Sequence, residues 1–164
     1  MKILIAVALA LALAGCASAP KPLQGEFSSL LPDDAAKRES TGELVRWGGT
    51  IVQVEPQSQR SCFEVVAKPL SSSGRPQDVD RSEGRFIACR GGFYEPEVFK
   101  AGREITISGR IEGFETRKVG EFDYRYPRVA AEVVYLWPER RDVDVILHRP
   151  LMYDWYYPWY GRRW

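Results

Sequence analysis

With 164 residues, 23 Lys+Arg against 22 Asp+Glu and a single His, the chain carries a formal net charge of +1 at neutral pH. That balance excludes the basic footprint on which nucleic-acid binding rests, and one histidine excludes a multi-histidine metal site. The length suits one domain with a real core rather than two.

The first residues read MKILIAVALALALAGCASAP. Lys2 is a short positive region, and Ile3 to Ala14 is an uncharged apolar run. That run has the length of a signal-peptide core and is too short to span a bilayer as a helix, which takes about 20 apolar residues. Leu13-Ala14-Gly15-Cys16 has the form of a bacterial lipobox, in which the Cys16 thiol receives diacylglycerol; the alternative is an ordinary secretory signal containing a cysteine. Each buried methylene of an acyl chain contributes roughly 0.8 kcal/mol, and more than one chain makes stable anchoring. The next residue is Ala17 and not Asp, so the expected destination is the outer membrane of a Gram-negative bacterium, facing the periplasm. Removal of residues 1–15 takes away Lys2 and leaves equal numbers of acidic and basic side chains.

Residues 16–40 are rich in Ala, Ser and Pro without a sustained period. They are expected to form a lipidated, flexible tether with one short helical turn near Asp33–Arg38. From 41 to 140 the pattern is that of strands. In LVRWGGTIVQVEP, Val45 and Trp47 share a face while Val52 and Val54 follow the opposite parity, so a bend or bulge is predicted at Gly48-Gly49. CFEVVAKPL places Phe63, Val65 and Ala67 together, and GRFIACR follows after a polar connection. Antiparallel pairing about the centre of that connection sets Phe63 opposite Ala88, Val65 opposite Phe86 and Cys62 opposite Cys89. An oxidising periplasm makes Cys62 and Cys89 a candidate disulfide, provided that the pair occupies a close, non-hydrogen-bonded site; two free thiols are the alternative.

GGFYEPEVFKAGR supplies a short Phe/Tyr-bearing turn. EITISGRIEG then alternates, with Ile105, Ile107 and Ile111 inward. A polar and aromatic loop over 113–128 leads to VAAEVVYLWP, where Val129, Ala131, Val133, Tyr135 and Trp137 share one parity. The fold expected is all-β: a small five-stranded OB-like barrel with an N-terminal lipid tether and an aromatic C-terminal extension, 141–164. An open sandwich is the alternative, and VDVILH at 143–148 is a possible edge strand.

Several pieces, in order, resemble the Slp family of starvation-inducible outer-membrane lipoproteins: LAGC, RWGG, the PL at 69–70, GRF at 84–86, FYEP at 93–96, GREITISG at 102–109, YRYP, and LW at 136–137. The resemblance implies outer-membrane attachment, expression linked to starvation, and no established enzymatic activity. An aromatic-rich tail also fits the family, whereas the cysteine pair is not part of its pattern.

No G-x-S-x-G elbow is present, and Cys62 and Cys89 lack an evident base, so no enzyme and no cofactor is expected. Gly84-Arg85 and Gly102-Arg103 read as strand openings, with the arginines paired to Glu83 and Glu104 or to solvent; a binding role is the alternative. The 113–128 loop is the candidate ligand site, for it combines Arg117, Arg125 and Arg128 with Tyr124 and Tyr126. Cations interleaved with aromatics suit an anionic or sugar ligand, and on an OB-like barrel this loop borders the ligand face. The opposing reading is that these tyrosines cap the barrel. In the tail YDWYYPWYGRRW, the residues Trp155, Tyr156, Trp159 and Trp164 suit a membrane interface; packing on the barrel and binding a partner are the other possibilities. Expected partners are outer-membrane lipid through acylated Cys16 and an envelope protein or periplasmic glycan, with no nucleic acid. The leading function is a non-enzymatic envelope and starvation-stress lipoprotein; the alternative is a glycan or small-ligand binding module.

Overall fold

A computed structural model describes residues 18–140. Five strands, β1 (Leu44–Pro56), β2 (Arg60–Ala67), β3 (Arg85–Gly91), β4 (Glu104–Val119) and β5 (Phe122–Leu136), close into a barrel in the order β1-β2-β3-β5-β4. Every ladder is antiparallel except β3 with β5, so the ring has the five-stranded OB-like arrangement expected from the strand count. Its interior is filled by Val45, Trp47, Ile51, Phe63, Val65, Phe86, Ile105, Ile107, Ile111 and Val129, the inward sets that period-2 alternation marks. Tyr94 and Phe99, from the turn after β3, stack on Phe63 at 5.2 and 5.4 Å between ring centroids.

The irregularities lie elsewhere than expected. In β1 the register slips between Ile51 and Gln53, leaving Val52 as the extra residue, while Gly48 continues the ladder to β4 and Gly49 the ladders to both β2 and β4. Gly49 pairs with Ala67 on one side and Ile105 on the other, and a Cβ there would lie 1.9 Å from the Val66 carbonyl oxygen. The glycines therefore let neighbouring backbones close in, and the bulge at Val52 changes the parity.

A second bulge, at Glu132, corrects the expected face of β5. Ser108 pairs with Val133 but Gly109 with Ala131, so the alternation reverses there. Val129, Ala131, Val134 and Leu136 reach the barrel core, whereas Val133, Tyr135 and Trp137 turn to the outer side. What they meet there is the N-terminal segment.

Residues 18–40, expected as a flexible tether, lie packed on the barrel. A 3₁₀ turn, Lys21–Leu23, buries Leu23 with Ala19 against Trp137, and the Arg46 guanidinium donates to the Leu23 carbonyl at 2.7 Å. Ser28 bridges to Val45, and the Trp47 indole donates to the Leu30 carbonyl at 2.7 Å. Helix α1 (Pro32–Arg38) follows, with Pro32 in its first turn, Asp33 and Asp34 at the positive end of its dipole and Lys37 and Arg38 at the negative end. Such burial rests on scattered residues, Ala19, Leu23, Pro32 and Ala35, and on hydrogen bonds to backbone carbonyls, which leave no periodic signal.

Candidate functional site

The span 113–128 is strand and not loop. β4 and β5 run on as one long hairpin, pairing from Ile105↔Leu136 to Val119↔Phe122, with the turn at Gly120-Glu121. On one face of its distal half stand Glu115, Arg117, Tyr124 and Tyr126. Tyr126, with Val119 and Tyr124 beside it, packs on Cys62, Ile87 and Cys89, the outward residues of β2 and β3.

Beneath these tyrosines is a closed polar network. Glu64 on β2 is nearly buried and accepts three hydrogen bonds: from the Tyr126 hydroxyl at 2.8 Å, from Arg85 at 2.8 Å and from Gln53 at 3.1 Å. The Tyr124 hydroxyl donates to Asp33 of α1 at 2.7 Å and accepts from the Arg85 backbone N–H at 3.1 Å. Burial and the Asp33 carboxylate push the Tyr124 phenol up to about 12, and burial with Glu64 raises Tyr126 in the same direction. Burial alone would lower Arg85, but the Glu64 carboxylate outweighs it and raises its pKa. Both tyrosines therefore remain neutral donors whose hydroxyls are already spent.

The arginines expected to face a ligand are likewise committed. Arg117 pairs with Glu115 and, at 3.2 Å, with Glu55. Arg128 pairs with Glu115 and, at 3.1 Å, with Glu112. Arg125 reaches Glu39 at 2.7 Å and lies over the Phe114 ring at 5.4 Å. Burial opposes ionisation of Glu115, yet Arg128 and Arg117 hold its carboxyl below the ordinary value. Tyr126 is 1% exposed, so it offers no stacking platform. The candidate ligand residues are thus brought together, but as the fastening between the hairpin, α1 and the outer side of β2 and β3.

Other expected pairings also change. Arg85 meets Glu64 and not Glu83, and Glu104 takes Arg75 and Arg140, each at 2.7 Å, while Arg103 donates to the Val98 and Trp137 carbonyls. Gly84 does open β3, at φ 103°, and a Cβ on it would strike the Asp33 carboxylate at 2.2 Å. Cys62 and Cys89 lie opposite each other in the β2–β3 ladder with Cα atoms 4.1 Å apart, the narrow class of antiparallel pair, and are joined as a disulfide. This is the pairing that the register predicts.

Among the described residues no three His, Cys, Asp or Glu side chains gather as a metal-ligand set. A groove of about 490 Å³ is lined by Lys68, Lys100, Arg103 and Arg140 together with Asp78, Glu104 and Glu139. Its residues come from five separate stretches, and no local motif announces it. Cys16, His148, the 143–148 segment and the tail residues Trp155, Tyr156, Trp159 and Trp164 lie outside the described residues.

Residues 13–164 match the family described as Outer membrane lipoprotein Slp family. The chain belongs to the Slp family. An uncharacterized protein of Haemophilus influenzae is 36% identical over 137 residues, which is 79% of this chain and 73% of the relative. The uncharacterized lipoprotein YeaY of Escherichia coli is 32% identical, over 70% of this chain and 61% of YeaY. The E. coli outer membrane protein Slp is 23% identical, over 84% of this chain and 76% of that protein. A small single-stranded DNA-binding protein from Streptomyces coelicolor aligns at TM-score 0.39 and 9% identity, over 59% of this chain and 95% of that one, a distance at which no function transfers. The Slp family match takes in residues 13–16 and the whole described barrel.

Proposed function

We propose that this Slp family member is a lipoprotein held through acyl chains on Cys16 at the periplasmic face of the outer membrane, where it serves as a non-catalytic envelope protein under starvation stress. The observation that carries this reading is the filled barrel. Aromatic and aliphatic side chains occupy its interior, and the hairpin face with tyrosines and arginines is closed by carboxylates of α1, β2 and the hairpin itself. A chain of this kind is suited to acting through its outer surface and its place of attachment. The lipobox Leu13-Ala14-Gly15-Cys16 and the lipoprotein character of the family support the anchor; the starvation role rests on the resemblance to starvation-inducible members.

The decisive experiment is fractionation of the full-length protein and its Cys16→Ser variant from the native envelope. The wild type is expected to incorporate labelled palmitate and sediment with the outer membrane, and the variant to lose both. A variant that still sediments there refutes the anchor. Protein levels compared between growing and starved cells check the stress role, which fails if the two are equal.

A further inference from the structure

We infer that one pole of the barrel, formed by residues 18–23, the turn at Gly74-Arg75 and the exit at 137–140, is the face that rests on the bilayer, its partner being the phosphate layer of the lipid headgroups. The inference depends on acylation of Cys16 as proposed above and goes beyond it by orienting the domain. Three independent features of the structure meet at this pole.

The first is the length of the leash. Ala19 is buried against Leu23 and Trp137, and Gly74 lies beside both Ala19 and Leu23. Only two residues separate Ala19 from Cys16. An extended chain covers at most about 3.6 Å per residue, so the Cys16 Cα lies within about 11 Å of the Ala19 Cα. The headgroup region on one side of a bilayer is roughly 5–8 Å deep. With residues 18–40 packed down, no slack remains, and acyl chains in the membrane hold this pole at its surface.

The second feature is charge. Lys21 is exposed on the 3₁₀ turn, and Arg75 stacks over the Trp137 ring at 5.6 Å while donating to the Pro138 carbonyl at 2.7 Å. The groove beside them holds four cations against three carboxylates, and Lys68 has no ion-pair partner among the described residues. A layer of phosphates complements this surplus. The turn of the β4–β5 hairpin, at the opposite end, carries Glu121 and Asp123 against Lys118 and has no such surplus.

The third is the other chain end. Arg140 is pinned by Glu104 at 2.7 Å and by the Pro76 carbonyl at 2.8 Å, so the aromatic-rich continuation starts from this same pole. Phe122, at the far end of the 15-residue strand β5, is 69% exposed and marks the opposite end.

The test uses the complete lipidated protein with a fluorophore placed, without reductant, at Lys21→Cys or Phe122→Cys, both exposed positions. Each is reconstituted into phosphatidylethanolamine–phosphatidylglycerol vesicles containing a phospholipid spin-labelled near its headgroup. Quenching at position 21 is expected to exceed that at position 122 several-fold. Equal quenching, or stronger quenching at 122, overturns the orientation. Mass spectrometry and flotation of the same samples separate the two ideas. A floating, acylated chain with equal quenching refutes the orientation alone. An unacylated chain that fails to float refutes the anchor, and the orientation with it.

Discussion

Removing the Cys62–Cys89 bridge tests how the ring is held together. The bridge has a sequence separation of 27 and closes over the whole β2–β3 connection. On the chain-entropy account a loop of that size stabilises the fold by about 3.5 kcal/mol at about 25 °C. Both cysteines are also buried beside Ile87 and Tyr126, so Cys62→Ala with Cys89→Ala loses some packing as well. With a urea slope of about 2 kcal/mol per molar, the unfolding midpoint of the double variant should fall by about 2 M. The assay is equilibrium urea unfolding of the unlipidated Cys16→Ser protein, with and without the alanines, followed by tryptophan fluorescence. A midpoint drop below about 0.5 M refutes the reasoning, since the bridge then scarcely constrains the unfolded chain. Two titratable thiols in the protein purified under oxidising conditions refute the bridge itself.

Gly49→Ala would put a Cβ 1.9 Å from the Val66 oxygen, whereas Gly113→Ala meets nothing within 4 Å. The first should destabilise by about 3 kcal/mol and the second by less than about 0.5 kcal/mol, both read as urea midpoints. On the alkaline side, Tyr124 is raised to about 12 in the folded chain, while an unfolded phenol titrates near 10. The unfolded chain thus releases its proton first, so stability is intact below pH 10 and falls as pH rises from about 10 to about 12; Tyr124→Phe should flatten that decline. On the acid side, burial opposes ionisation of Glu104, but Arg140 and Arg75 hold its carboxyl below its ordinary 4.5. Its contribution is present above that value and lost as pH falls through the folded one, and Glu104→Gln should reduce the slope of stability against pH there.

What the sequence disclosed follows from the range of the interactions. The inward sets Phe63-Val65, Phe86-Ala88 and Ile105-Ile107-Ile111 show because alternation is a local signal, and Cys62↔Cys89 because one register serves all of β2 and β3. The bulges at Val52 and Glu132 each invert a face with one residue, and neither is a glycine. The hairpin did carry a usable sign: Phe122, Tyr124 and Tyr126 alternate with Asp123, Arg125 and Pro127, which is strand periodicity beneath a heavily charged composition. The partners that close the candidate site were out of reach. Tyr124 finds Asp33 across 91 positions and Tyr126 finds Glu64 across 62, distances at which one chain's composition says nothing. The groove at the exit pole is hidden for the same reason.

The ladders also differ in how soon they can form. β2 and β3 meet through a single connection, but the ring closes only when Leu44 finds Arg110 and β3 finds the parallel strand β5. Distant pairings of this kind are slow, because the chain must surrender loop entropy before the contacts reward it. In an oxidising compartment, Cys62 and Cys89 can meet as soon as the β2–β3 hairpin does. A bridge made then fixes the register of the ring's middle before its ends arrive, and assembly of the barrel becomes sensitive to the supply of oxidant.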